Sequence, residues 1–170
     1  MAQTLGNEQK KRLYGALQAG LDQSAAALRM MLGGRLEIRP RSPVLKESGI
    51  QVRLGLHGAL EGGVHIDLPE QMADQVVKRL TGRAELSLLD DQARSSLMEL
   101  GNILASAFVA HFDQSRGIRT LPTPPQLSFV PREIPEFPLC YTAELYWSDC
   151  TERGEVLICM QQSALDILLS

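Results

Sequence analysis

Apolar residues recur in two rhythms along this chain, and the rhythms alternate in a repeated order. Residues 8–32 place Leu13, Leu17, Leu21, Ala25, Leu28 and Leu32 at spacings of three and four, which predicts an amphipathic helix. Gly33-Gly34 ends it, as glycines past a helix C-terminus do. Three strands are then expected, at 36–44, 50–57 and 63–68. The second shows the period of two most clearly, with Val52, Leu54 and Leu56 between polar or small residues. Glycines at 58, 62 and 63 mark a hairpin between the last two. A short helix at 69–80 follows, opened by Pro69 with Glu70 in its first turn.

The second half repeats this order. A long helix is expected over 90–113 with Asp90 or Asp91 as N-cap. A turn rich in proline (Pro122, Pro124, Pro125) leads to strands at 126–131, 139–147 and 155–160, and a final helix starts near Ser163. The closest local match pairs 62–74, GGVHIDLPEQMAD, with 154–166, GEVLICMQQSALD, aligning Val64 with Val156, Ile66 with Ile158 and Asp74 with Asp166 without a gap. Two αβββα units sharing one core are therefore expected, with half-repeats of about 8–85 and 86–170 and pseudo-twofold symmetry. The fold class is a two-layer α/β (α+β) domain, its long helices on one face. Each unit alone would leave a sheet face uncovered. No flexible linker separates the halves, so 1–170 reads as a single domain, loose only at residues 1–7.

Composition narrows the function. The chain has 170 residues, 44% hydrophobic and 22% charged, enough for a buried core and unfavourable for disorder. It contains neither an apolar run of the ~18–20 residues that span a bilayer nor a secretory pattern, so a cytoplasmic, membrane-free protein is expected. The net charge of -3 argues against nucleic acid. Charge is uneven: 12 Lys/Arg against 9 Asp/Glu in 1–85, and 5 against 11 in 86–170. Such asymmetry can orient a protein partner. Cys140, Cys150 and Cys159 are odd in number and lack CxxC spacing, which speaks against a disulfide framework and against zinc; Cys159 reads as a small buried hydrophobe. His57, His65 and His111 are scattered and read as structural. A phosphate-binding glycine loop with lysine, a Ser-His-Asp order and a metal cluster are all missing, so a small-molecule enzyme has little support.

The helix 90–113 carries the candidate chemistry. At about 100° per residue, Ser95, Glu99, Asn102 and Ser106 fall within about 60° of one another. Leu97, Leu100, Leu104, Ala107 and Phe108 take the other side. A solvated helix face would look similar, but this stripe holds no Lys or Arg. Asn102 and Gly101 are also poor mid-helix residues, costing ~0.5 and up to ~1 kcal/mol. Close packing is an alternative explanation for Gly101.

Ser95, three residues, Glu99, two residues, Asn102 resembles the signature of the CheC/CheX/FliY-type chemotaxis phosphatases: Asp or Ser, three any, Glu, two any, Asn. ELGNILASAF, the prolines beyond the helix and the duplicated layout are similar too, so the resemblance spans essentially the whole chain and implies a CheC-like fold. It further implies hydrolysis of the aspartyl-phosphate of a CheY-like receiver domain. Asn102 would align the attacking water and Glu99 would pair with the receiver's lysine. Ser95 and Ser106 would touch the partner. The protein would need no cofactor of its own, with Mg2+ on the receiver. The corresponding positions of the first helix are Gly15 and Gln18, so that helix reads as degenerate. Two alternatives stand beside this: a non-catalytic adaptor that binds phosphorylated receivers, as in the flagellar switch, and a scaffold whose polar stripe is incidental. A homodimer stays open.

Overall fold

The computed structural model describes residues 4–41, 49–83, 87–88, 90–129 and 136–170. The elements in chain order are α1 (Asn7–Leu32), β1 (Leu36–Pro40), β2 (Ile50–Gly58), β3 (Gly62–Leu68), α2 (Glu70–Thr81), α3 (Asp91–Arg116), β4 (Thr120–Pro122), β5 (Gln126–Ser128), β6 (Leu139–Trp147), β7 (Gly154–Met160) and α4 (Gln162–Leu169). Strands 36–44 and 126–131 are shorter than the sequence suggests. Residues 42–44, 130 and 131 lie outside the described residues, as do Leu86 and Leu89 of the expected junction. Pro69 is the N-cap of α2 rather than part of its first turn. Asp90 caps α3 by accepting from the Gln92 N–H at 2.9 Å.

The strands form one curled antiparallel sheet in the order β1-β6-β7-β3-β2-β4, with β5 also on β2. This order is palindromic with respect to the two halves, but the halves are not self-contained three-stranded units. β1 of the first half pairs with β6 of the second, while β4 and β5 of the second pair with β2 of the first. Each half therefore completes the other's hairpin. At the centre, β3 and β7 pair with His65 opposite Leu157. These are also the residues that the local sequence match aligns, so the pseudo-twofold axis passes between them.

Alternation decides the two faces. Val52, Leu54, Val64, Ile66, Val156, Ile158, Tyr141, Ala143, Leu36 and Ile38 face the helices and are buried. α1 lies against β1, and α3 against β2, β4 and β5. All six apolar positions of the predicted first stripe, from Leu13 to Leu32, are buried. The two long helices cross closely because Gly20 has no side chain: a Cβ there would sit 2.8 Å from Phe108 Cδ2. Gly101 does the same for helix on sheet. Its Cβ would lie 2.7 Å from Val52 Cγ1 and 3.2 Å from Leu54 Cδ1. Close packing thus accounts for this mid-helix glycine, the second of the two explanations open from the sequence.

Candidate functional site

The packing of α3 fixes which residues face outward. Ala93, Ser96, Leu97, Leu100, Gly101, Leu104, Ala105, Phe108, Val109 and Phe112 are the buried ones. Opposite them, Ser95, Glu99 and Ser106 are exposed and Asn102 is half-buried. The geometry brings all four predicted residues to one face, over three turns of helix. Among the described residues, none of the four side chains has a hydrogen-bond or ion-pair partner. Ser96, by contrast, points inward and is satisfied by the Gln92 carbonyl at 2.9 Å.

Asn102 sits on the side of the stripe that adjoins Gly101, and the α-carbon of Gly101 faces Pro125 in the turn between β4 and β5. That turn is pinned to the sheet: the Thr123 hydroxyl accepts from the Gly55 N–H at 2.7 Å, and the Thr123 N–H donates to the Gly55 carbonyl. Next along the same flank, the Arg94 guanidinium lies over the ring of Phe129, 5.8 Å from its centroid. Phe129 is 42% exposed. Arg94 and Phe129 thus border the stripe with a cation and an aromatic edge. Sequence periodicity carries no sign of this, since Phe129 comes from a connection that only the fold brings alongside α3.

The first half looks different at the corresponding place. Gly15 is exposed and offers no acid. The amide of Gln18 is fully engaged: Nε2 donates to the Ile38 carbonyl at 2.6 Å and to Asp22 Oδ1 at 2.9 Å, and Oε1 accepts from the Tyr141 hydroxyl at 2.7 Å. Arg29 Nη1 likewise donates to the Leu36 carbonyl at 2.8 Å. These bonds satisfy outward carbonyls of β1, which among the described residues has no strand on that side. A cleft of about 420 Å³ opens between α1 and β1, with Gln18, Asp22, Arg29 and Glu37 among its lining. Burial raises the Tyr141 phenol above its usual value, with Asp22 and then Tyr14 adding to the effect. The Gln18 amide is thus committed to partners within the fold.

Among the described residues, no three His, Cys, Asp or Glu side chains gather in a way that could hold a metal ion. No described helix is long and apolar enough to cross a membrane.

Comparison with known proteins bears on the family and the fold. The sequence model of the family described as "Chemotaxis phosphatase CheX" matches residues 50–128, which span β2 to β5 and include all four stripe residues. The resemblance to the CheC/CheX/FliY chemotaxis proteins therefore stands. FliY of Thermotoga maritima superposes with a TM-score of 0.72 at 17% identity, over 97% of this chain and 96% of that one. CheX from Desulfovibrio desulfuricans gives 0.71 at 13% identity, over 86% and 99%. These two show the shared CheC-like fold. CheX of Borrelia burgdorferi, crystallised as a CheX-CheY-BeF3-Mg+2 complex, gives 0.66 at 25% identity, over 84% of this chain and 96% of that one.

Proposed function

We propose that this protein hydrolyses the aspartyl-phosphate of a CheY-like response regulator, docking through the exposed face of α3. An acyl phosphate is already activated, so its hydrolysis asks for a positioned water more than for a strong base. A carboxamide suits that task because it offers a donor and an acceptor at one tip. Asn102 holds the attacking water in line with the phosphoryl group. Glu99, one turn away and exposed, pairs with the receiver's lysine in a charge-assisted contact. Ser95 and Ser106 extend the contact along the same stripe. Mg2+ belongs to the receiver.

The observation that carries this reading is the contrast between the two helices. Asn102 is uncommitted, beside an uncommitted Glu99, whereas Gln18 is consumed by three hydrogen bonds. Support also comes from the family match over α3 and from the Borrelia relative crystallised with CheY. Residues 1–170 act as one domain of half-repeats 8–85 and 86–170, because β1, β4 and β5 each complete the opposite half. The protein works in the cytoplasm, where its receiver is.

The test is to mix the protein with phosphorylated CheY-like receivers from the same organism and follow loss of phosphate. Faster loss with a cognate receiver is expected. Binding of the phosphorylated receiver without faster loss would make the protein an adaptor and overturn the proposal.

A further inference from the structure

The sequence offers three cysteines with no meaningful spacing, yet the fold brings two of them together. Cys140 in β6 and Cys159 in β7 are direct register partners, and their Sγ atoms lie 2.8 Å apart. A disulfide needs about 2.05 Å between sulfurs, so a sub-ångström movement of the two side chains closes the gap. Both point to the sheet face away from the helices, since Tyr141 and Ile158, the next residues inward, are in the core. Their row across the sheet continues through Gly63 and Gly55, so no side chain in that row wedges the sulfurs apart. Cys140 is partly exposed and Cys159 is fully buried.

We propose that Cys140 and Cys159 are a peroxide-responsive thiol pair that forms a reversible intrachain disulfide. Cys140, the accessible member, attacks the peroxide as its thiolate; the O–O bond breaks, Cys140 becomes a sulfenic acid and one water leaves. Cys159 then attacks the Cys140 sulfur, the S–O bond breaks, the S–S bond forms, and the hydroxyl departs as a second water with the proton of Cys159. Two thiols lose two electrons and hydrogen peroxide takes them. A small dithiol reverses the reaction by exchange. In a reducing cytoplasm such a bond is transient, which suits a sensor and not a staple. Cys150 is an internal control. It lies in the turn at the far end of the same hairpin, more than about 20 Å away by strand rise. Its thiol is buried and its pKa is raised, by burial first and then by Asp149 and Glu152, which keeps it protonated and slow.

The experiment uses the whole reduced chain, treated with a few equivalents of hydrogen peroxide. It is then denatured, alkylated and mapped by mass spectrometry. Loss of alkylation at Cys140 and Cys159 together is expected, with a linked peptide pair, Cys150 still alkylated, and full recovery after dithiothreitol. C159A should leave Cys140 as a sulfenic acid trapped by dimedone, and C140A should protect Cys159. Should either variant fail to fold, the wild-type map decides alone. Three alkylated cysteines after treatment, a bridge to Cys150, or only intermolecular bridges would overturn the proposal.

Discussion

Replacing Gly101 by Ala sets two calculable effects against each other. Helix propensity alone favours the change, by about 1 kcal/mol. Packing opposes it. The new methyl would stand 2.7 Å from Val52 Cγ1 and 3.2 Å from Leu54 Cδ1, both on buried β2 side chains. Val52 is β-branched and stiff at χ1, so it cannot swing its methyl away cheaply, and α3 must lift off the sheet or strain. Overpacking of this kind costs ~1–3 kcal/mol. The net expectation is destabilisation of about 0–2 kcal/mol, where a loosely packed helix would gain about 1. Urea unfolding reads this as a lower midpoint at unchanged slope. Val52→Ala removes the clashing methyl, so the double variant should be less destabilised than the sum of the singles, with a coupling of ~1–3 kcal/mol. Stabilisation by G101A, or strict additivity with V52A, would refute the close approach of α3 to β2.

Gln18→Ala should destabilise by ~1–3 kcal/mol in chemical denaturation, because the Ile38 carbonyl and the Tyr141 hydroxyl lose their partner; phosphatase activity of the folded protein should be unchanged. Tyr141 has a folded pKa above its ordinary 10.0, so its contribution to stability is complete below about pH 10 and lost as pH rises through the folded value. Alkaline unfolding followed by circular dichroism should therefore be less steep in Tyr141→Phe, and an identical profile would count against the burial of that phenol. Glu99→Ala should weaken binding of the phosphorylated receiver by ~1–3 kcal/mol in a titration, with the fold intact. Asp90→Ala removes the N-cap of α3 and should cost ~0.5–2 kcal/mol by thermal melting.

The elements with long, regular patterns were legible before any coordinates. The stripe from Leu13 to Leu32 is buried throughout, and the alternation in β2 points Val52, Leu54 and Leu56 inward. The local repeat gave more than similarity, since its alignment of His65 with Leu157 is also their pairing across the pseudo-twofold axis. The polar stripe came from angle alone. What the sequence hid is non-local. β4 is only three residues long, and the Thr120 hydroxyl, which accepts from the Leu60 N–H at 3.0 Å, anchors it beside β2. The exchange of β1 and β5 between halves is a pairing choice that periodicity does not encode. Gln18 looked like the relic of an active-site amide; its place in capping β1 depends on Ile38 and Tyr141, 20 and 123 residues away. Gly101 was ambiguous until Val52 was seen under it, and Cys140 meets Cys159 only through hairpin register.

On the proposed reading, Asn102 supplies the catalytic function while the rest of the α3 face supplies docking. This division of labour is tested most directly by measuring phosphate release from a phosphorylated CheY-like receiver with receiver concentration varied, for wild type, Asn102→Ala and Gln18→Ala, so that turnover and apparent affinity separate. Ala is the better helix former and the half-buried Asn102 side chain gives up no hydrogen bond, so Asn102→Ala should stay folded, which an unchanged urea midpoint checks. Asn102→Ala is expected to abolish turnover and largely keep receiver binding, and Gln18→Ala to keep both. Undiminished turnover in Asn102→Ala, or equal large losses in the two variants, would contradict this division.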